Sequence, residues 1–270
     1  MIDEQKPSVT YREMINGLRQ LNLERGRPVI AHAALSAFGD VRGGAETVLG
    51  AVLGMVDSLV MPAFTYRTMI IPETGPENNA STYGSGKDTN LMAEFFKTDM
   101  PSDRMMGAMA ETLRVRPGVR RSDHPILSFV GYRADAVLQA QTMLDPLAPV
   151  GVLANQGGWV LLLGVDHTVN TSLHYAEKLA GRQQYLRWAL TPNGVVECPG
   201  FPGCSDGFNT AATWFEGIIR RVQIGAAPVL ALPLKEMIAI VQDKLAADPL
   251  ALLCSRPDCE RCNAVRAVRV

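Results

Sequence analysis

His174 and Glu177 lie three residues apart in the stretch Asn170-Thr171-Ser172-Leu173-His174-Tyr175-Ala176-Glu177. On a helix that spacing puts both side chains on one face, an imidazole able to accept a proton beside a carboxylate able to orient and charge-stabilise it. The stretch follows the apolar run Trp159 to Gly164, and Asn170 or Thr171 can cap the helix. Titratable groups just beyond the carboxyl end of a buried strand sit where open α/β sheets bind ligands. A solvated polar pair on a helix surface is the alternative. Asp166 and His167 in the same connection weigh toward function.

Two further stretches have the composition of anion sites. His32, Ala33, Ala34, Leu35, Ser36 and Gly39 lead into Gly43-Gly44 and a helical pattern. A loop of small residues that leaves a buried strand and opens a helix presents free backbone N–H groups to an anion such as a phosphate. The same glycines also suit a plain tight turn. Arg120-Arg121-Ser122-Asp123-His124 enters another apolar run, so its arginines could pair with phosphates and His124 could position a ligand, or the run is an exposed basic turn.

The five cysteines suggest metal. Cys254, Cys259 and Cys262 form C-x4-C-x2-C near the end of the chain, and Cys198 and Cys204 flank a Gly/Pro-rich turn. Thiolates two residues apart in such turns suit a tetrahedral zinc site. The expected set is Cys204, Cys254, Cys259 and Cys262, with Cys198 as the alternative to Cys204, making a structural clip for the tail at about 250–270. Reduced thiols are the other reading, and no neighbouring group marks any of them as a nucleophile.

The elements that must hold these residues follow from periodicity. Thr10 and Glu13 have capping-box spacing ahead of a helix over Tyr11 to Asn22. Pro28–His32 and Leu59–Pro62 read as buried strands around a helix with Val48, Val52, Leu53 and Val56 on one face. A helix through Met105 to Leu113, a strand near Ile126 to Val130, a helix from Ala134 to Ala140 and the run at Trp159 continue an α/β alternation with a buried central sheet. The polar segment Thr65 to Thr89 is long for a plain connection and reads as a binding loop.

Composition bounds the partners. With 26 Lys+Arg against 27 Asp+Glu there is no global field to gather nucleic acid. No apolar run reaches the roughly 20 residues of a membrane span, and residues 1–10 lack the pattern of a secretory signal, so a cytoplasmic location is expected.

Taken together, His32 to Gly39 with Gly43-Gly44, then Val60 to Thr65, then Gly107 to Glu111 with Arg114 and Arg121-Ser122-Asp123-His124-Pro125, then Gly164 to Glu177, resemble the aminoglycoside 3-N-acetyltransferase family. Order and spacing agree from about Arg27 to Ala180, and Pro228 to Lys235 resembles the family's late strand. The resemblance implies a single-domain α/β/α sandwich over residues 1–270, with a mostly buried central sheet and flanking helices. It implies acetyl transfer from acetyl-coenzyme A to an amine of an aminoglycoside or related small amino compound. It also implies that His174 belongs to the acid and base network with Glu177, Asp166 and Glu111 lining the site, and that the first glycine-rich loop, Ser36 included, holds the coenzyme, with Ser122 and His124 nearby. A homodimer is compatible with it.

The chain departs from that pattern in two places. Alanine stands at 33 and 34, at one of which the family usually has serine, removing a hydroxyl from the coenzyme loop. Arg67 to Lys87 holds only Glu73 and Glu77 as acids, although a site for a polycation would gain from a negative wall. The acceptor amine is therefore open, and the rival readings are a same-fold acyltransferase on a non-antibiotic amine, a non-catalytic coenzyme-binding homologue, and a zinc-stabilised interaction module.

Overall fold

The computed structural model describes residues 8–24 and 26–268, so the last two residues of the expected tail lie outside the described residues. In chain order the elements are α1 (Tyr11–Gln20), β1 (Val29–Ala33), α2 (Gly44–Leu53), β2 (Leu59–Pro62), β3 (Met69–Ile70), α3 (Lys87–Leu91), α4 (Gly107–Arg114), β4 (Val119–Arg121), β5 (Phe129–Tyr132), α5 (Asp135–Gln139), α6 (Ala148–Asn155), β6 (Trp159–Leu163), α7 (Thr171–Leu179), β7 (Tyr185–Thr191), β8 (Gly194–Phe201), β9 (Arg220–Ile224), β10 (Ala227–Pro233), α8 (Leu234–Ala247) and α9 (Glu260–Val268).

Helix α1 starts on the expected capping box, the Glu13 carboxylate accepting from the Thr10 N–H at 2.8 Å. It stops two residues short of Asn22, which takes a left-handed φ of 48°. A seven-stranded sheet runs β4-β5-β2-β1-β6-β10-β9. Its middle, β2-β1-β6, is parallel, and β5 and β10 flank it antiparallel.

Side chains alternate across that middle into two cores. Val29, Ala31, Leu59, Met61 and Leu161 pack with Met14, Leu18, Val48, Val52, Met109 and Leu113 from α1, α2 and α4. Ile30, Val60, Val160 and Leu162 pack with Val150, Leu153, Leu173, Met237 and Val241 from α6, α7 and α8. Burial on both faces explains why these strands are unbroken apolar runs. The arrangement is the expected α/β/α sandwich with a mixed sheet.

Two segments differ from expectation. The strand near Ile126 begins only at Phe129, because Nδ1 of His124 accepts from the Ile126 and Leu127 N–H groups at 3.2 and 2.9 Å and holds them in a turn. Thr65 to Thr89 is not one irregular loop. It contains a 3₁₀ turn and β3 and ends in the first residues of α3, and β3 joins a second sheet, β3-β7-β8. Tyr185, Ala189 and Phe201 carry this sheet onto the second core. Among the described residues no helix is long and apolar enough to cross a membrane.

Candidate active site

A cleft of about 1220 Å³ opens at the carboxyl ends of β1 and β2 and beside the segment that follows β6. Strand β1 leads through α2 to β2 on one side and has β6 on the other, so connections diverge above it and leave a crevice. The volume exceeds the roughly 300–1,000 Å³ of a site for one small ligand and leaves room for two reactants.

The first wall is the stretch after β1. His32, Ala33, Ala34, Leu35, Ser36, Gly39 and Gly44 line the cleft, and Gly43 stands one position behind as the cap of α2 with φ of 83°. The loop lies close to the strand ends: a Cβ on Gly164 would come within 2.5 Å of Ala37 Cβ, and one on Gly107 within 2.9 Å of the Ala33 carbonyl oxygen. Glycine at both positions therefore lets the backbone fold down at the cleft floor. His32 is buried, its Nε2 has no hydrogen-bond partner, and burial lowers its pKa to about 3, so it lines the floor as a neutral ring.

The second wall carries the titratable pair. Asn170 caps α7 by accepting from the Ser172 N–H, and the helix delivers His174 to the cleft. Nδ1 of His174 lies 3.1 Å from Oε2 of Glu177, whose Oε1 lies 3.2 Å from Nε of Arg182. The Glu177 and Arg182 side chains are only 3% and 4% exposed, so each buried charge is compensated by the other. A carboxylate cannot donate, so the hydrogen between His174 and Glu177 belongs on Nδ1 and the lone pair on Nε2. The Phe208 ring, 4.6 Å from the imidazole centroid to centroid, fixes its tilt.

Four expected residues are placed elsewhere. Asp166 does not line the cleft; it accepts from the Thr168 N–H at 2.9 Å and from Asn209 Nδ2 at 2.7 Å, which caps a short turn. Glu111 forms a two-bond pair with Arg114, at 2.6 and 2.9 Å, and also accepts from Ser102. That Arg114 contact holds its carboxyl below the usual carboxylate range. Ser122 and His124 border a separate, smaller pocket. The Ser122 hydroxyl accepts from the Phe129 N–H at 2.8 Å and His124 Nδ1 serves the turn after it, while His124 Nε2 is buried without a partner.

The third wall was not foreseen. Tyr66, Arg187, Phe201, Asp206 and Arg261 complete the cleft. Arg187 occupies an inward position of β7, between Tyr185 and Ala189, and an arginine in that phase was the available signal.

Arg261 stands inside the cysteine motif. The sulfurs of Cys204, Cys254, Cys259 and Cys262 all lie within 4.8 Å of one another, and all four residues are buried. A tetrahedral Zn–S length of about 2.3 Å sets sulfurs roughly 3.8 Å apart, so the donor set and its spacing suit zinc. Backbone N–H groups already point at two of the sulfurs, Cys254 N at Cys262 Sγ and Asp206 N at Cys204 Sγ, at 3.4 and 3.5 Å. Cys198 is not an alternative member: it packs in the second core, and burial pushes its thiol up to about 12.

The family profile described as aminoglycoside 3-N-acetyltransferase matches residues 30–246. A Bacillus subtilis (strain 168) relative, the SPbeta prophage-derived aminoglycoside N(3')-acetyltransferase-like protein YokD, is 31% identical over 177 residues, which is 62% of this chain and 64%, a little under two thirds, of its own length. The fold is shared with the aminoglycoside acetyltransferase AAC(3)-IVa, solved as a point mutant in complex with a gentamicin, at a TM-score of 0.78 and 22% identity over 98% of this chain and 99% of that one. It is shared too with AAC-IIIb, solved with CoASH, at 0.71 and 23% over 89% and 97%.

Proposed function

The chain belongs to the aminoglycoside 3-N-acetyltransferase family, and on that premise we propose that it transfers an acetyl group from acetyl-coenzyme A to a small-molecule amine in this cleft, with His174 as general base. The observation that carries the reading is the chain from Arg182 through Glu177 to His174, which leaves Nε2 as the proton acceptor on the cleft side.

An amine arrives largely as ammonium and has no lone pair to attack with. One proton of the ammonium is lost to water, Nε2 takes a second as the nitrogen attacks the thioester carbonyl carbon, the carbon–sulfur bond breaks, and the coenzyme thiolate leaves with the proton returned from His174. Glu177 stabilises the imidazolium formed in between, and Arg182 pairs with its other oxygen at 3.2 Å. The coenzyme would lie along Ala33 to Ser36 with its phosphates toward the N–H groups at the start of α2, where the helix dipole favours an anion.

The whole chain, cysteine-bearing segment included, would work as one acetyltransferase domain, because Arg261 and Asp206 line the same cleft as His174. Zinc held by the four cysteines would supply no chemistry to the reaction; its binding energy would fasten the 202–206 loop to the α9 region. A cytoplasmic setting suits reduced thiols and the acetyl donor. A homodimer would be its assembly. Thiol release from acetyl-coenzyme A across a panel of cationic, neutral and acidic amines tests the reading: amine-dependent release supports it, and release no faster than hydrolysis with every amine overturns it.

A further inference from the structure

The first turn of α7 faces the cleft with donors that the protein does not use. Asn170 caps the helix, its side chain accepting from the Ser172 N–H at 3.2 Å and its carbonyl from the Leu173 N–H at 3.0 Å. Thr171 is the first helical residue, a position whose N–H has no partner within a helix. Among the described residues neither that N–H nor the Thr171 hydroxyl makes a hydrogen bond, although Thr171 is only 6% exposed and lines the cleft. Thr171 and His174 are three residues apart, so their side chains leave one face of α7 with about 5–6 Å between Cβ atoms, near enough for one small group to touch both.

His32 marks the same space from the sheet side. It pairs with Leu162 in the β1–β6 ladder, and Ile30 and Leu162 pack with Leu173 of α7 in the second core, so the alternation of the strand turns His32 toward α7 as well. Its ring lines the cleft with Nε2 buried and unpartnered. A buried polar atom without a hydrogen bond is costly, which is the mark of a wall shaped for a bound polar group. Burial also holds the ring neutral, with a pKa of about 3, so it adds no charge of its own there.

Acetyl transfer calls for a donor at this place. As the amine nitrogen bonds to the thioester carbon, the carbonyl π pair moves onto oxygen, and it returns when the carbon–sulfur bond breaks. The oxygen is negative only in between. Nitrogen and oxygen are attached to the same carbon, so a base serving the one and a donor serving the other must stand side by side, as His174 and Thr171 do. The start of a helix favours negative charge, and donors fixed there beforehand stabilise it without rearranging.

We propose that Thr171 is a further catalytic residue, its N–H and hydroxyl holding the acetyl carbonyl oxygen while His174 takes the proton from the attacking nitrogen. This rests on the acetyl-transfer reading. The first turn of α7 then carries both the base and the site for the developing oxyanion, with Glu177 one turn further along the same face.

Thr171→Val keeps the shape and the N–H and removes the hydroxyl, Thr171→Ser keeps the hydroxyl, and Thr171→Ala replaces the valine variant if that one does not fold. The infrared carbonyl stretch of acetyl-coenzyme A, isotope-labelled at the acetyl carbonyl and bound to the full chain without any amine, reads the contact directly, because a hydrogen bond to the oxygen lowers it. The stretch should lie lower in the wild type and Thr171→Ser than in Thr171→Val. Coenzyme A, which has no acetyl carbonyl, should bind all three alike. In single turnover with the best amine, Thr171→Val should be slower by roughly 10²-fold, the scale of losing one oxyanion donor, with Thr171→Ser within a few-fold of wild type. The acid limb of the pH profile should persist in both, because His174 is untouched. An identical stretch in the wild type and Thr171→Val, or a serine variant as slow as the valine one, overturns the proposal. If no amine is acetylated while the stretch still separates the variants, the transfer reading fails alone; wild-type turnover in Thr171→Val sinks this inference alone.

Discussion

Oε2 of Glu177 lies 3.1 Å from Nδ1 of His174, one turn back along α7, and that contact assigns the ring hydrogen to Nδ1 and the lone pair to Nε2. Arg182 on the other carboxylate oxygen, as buried as Glu177 itself, is a fixed counter-ion that holds the carboxylate in place. In the proposed mechanism His174 is thus a proton acceptor that its own helix carries to the wall of the cleft.

If the start of α2 receives the coenzyme's phosphates, Gly44→Asp should weaken coenzyme A binding at least ten-fold by setting a negative charge against them. Gly44 has φ of 58°, so Gly44→Ala carries the same backbone strain without the charge and serves as control. Calorimetry showing equal affinity in the two folded variants would remove the phosphates from that helix end.

The four-cysteine cluster should bring about one zinc per chain through purification without chelator, read by elemental analysis. Stripping it should lower the melting temperature and loosen the 202–206 loop, since metal affinity here is folding energy. Metal-free protein with an unchanged melting temperature would make these cysteines ordinary core thiols.

His124 gives a pH dependence of stability. Burial lowers its pKa from 6.5 to about 4, so the unfolded chain takes up a proton there first as pH falls. Its contribution, about 3 kcal/mol from the size of that shift, is complete above pH 6.5 and is lost as pH falls from 6.5 toward 4. His124→Asn keeps an acceptor for the Ile126 and Leu127 N–H groups and cannot titrate. Urea midpoints at pH 7.5 and 4.5 should therefore fall less in the variant than in the wild type; parallel falls would assign the acid sensitivity to other groups.

What could be read from sequence was what sequence encodes locally. The strand runs at 29–33, 59–62 and 159–163 are apolar throughout because both faces are covered, and the His174–Glu177 spacing survives as a contact because a helix fixes it. The cysteine spacing pointed to a grouping of the C-terminal thiols with Cys204 or Cys198, and the sulfurs of Cys204, Cys254, Cys259 and Cys262 do lie together. Ser122, His124, Asp166 and Glu111 misled because a polar side chain beside a strand end can spend itself on the nearest backbone or charged partner, and composition does not say which. Arg187 and Arg261 were missed because the wall they form joins a hairpin to the last helix, and the one local signal was an arginine in the inward phase of β7. That hairpin turns at Pro192-Asn193-Gly194, which the sequence reading passed over, and what it packs against is set by tertiary contacts.

The central claim is that Nε2 of His174 moves the proton, and the single-turnover acetylation rate of His174→Ala and His174→Gln at saturating acetyl-coenzyme A measures it most directly. A positioned base is worth roughly 10²–10⁴-fold, so both variants should fall by that factor while their melting temperatures and coenzyme A affinities stay near wild type. A His174→Gln protein that acetylates its best amine at close to the wild-type rate would show that the imidazole only packs against Phe208, and would take His174 out of the mechanism.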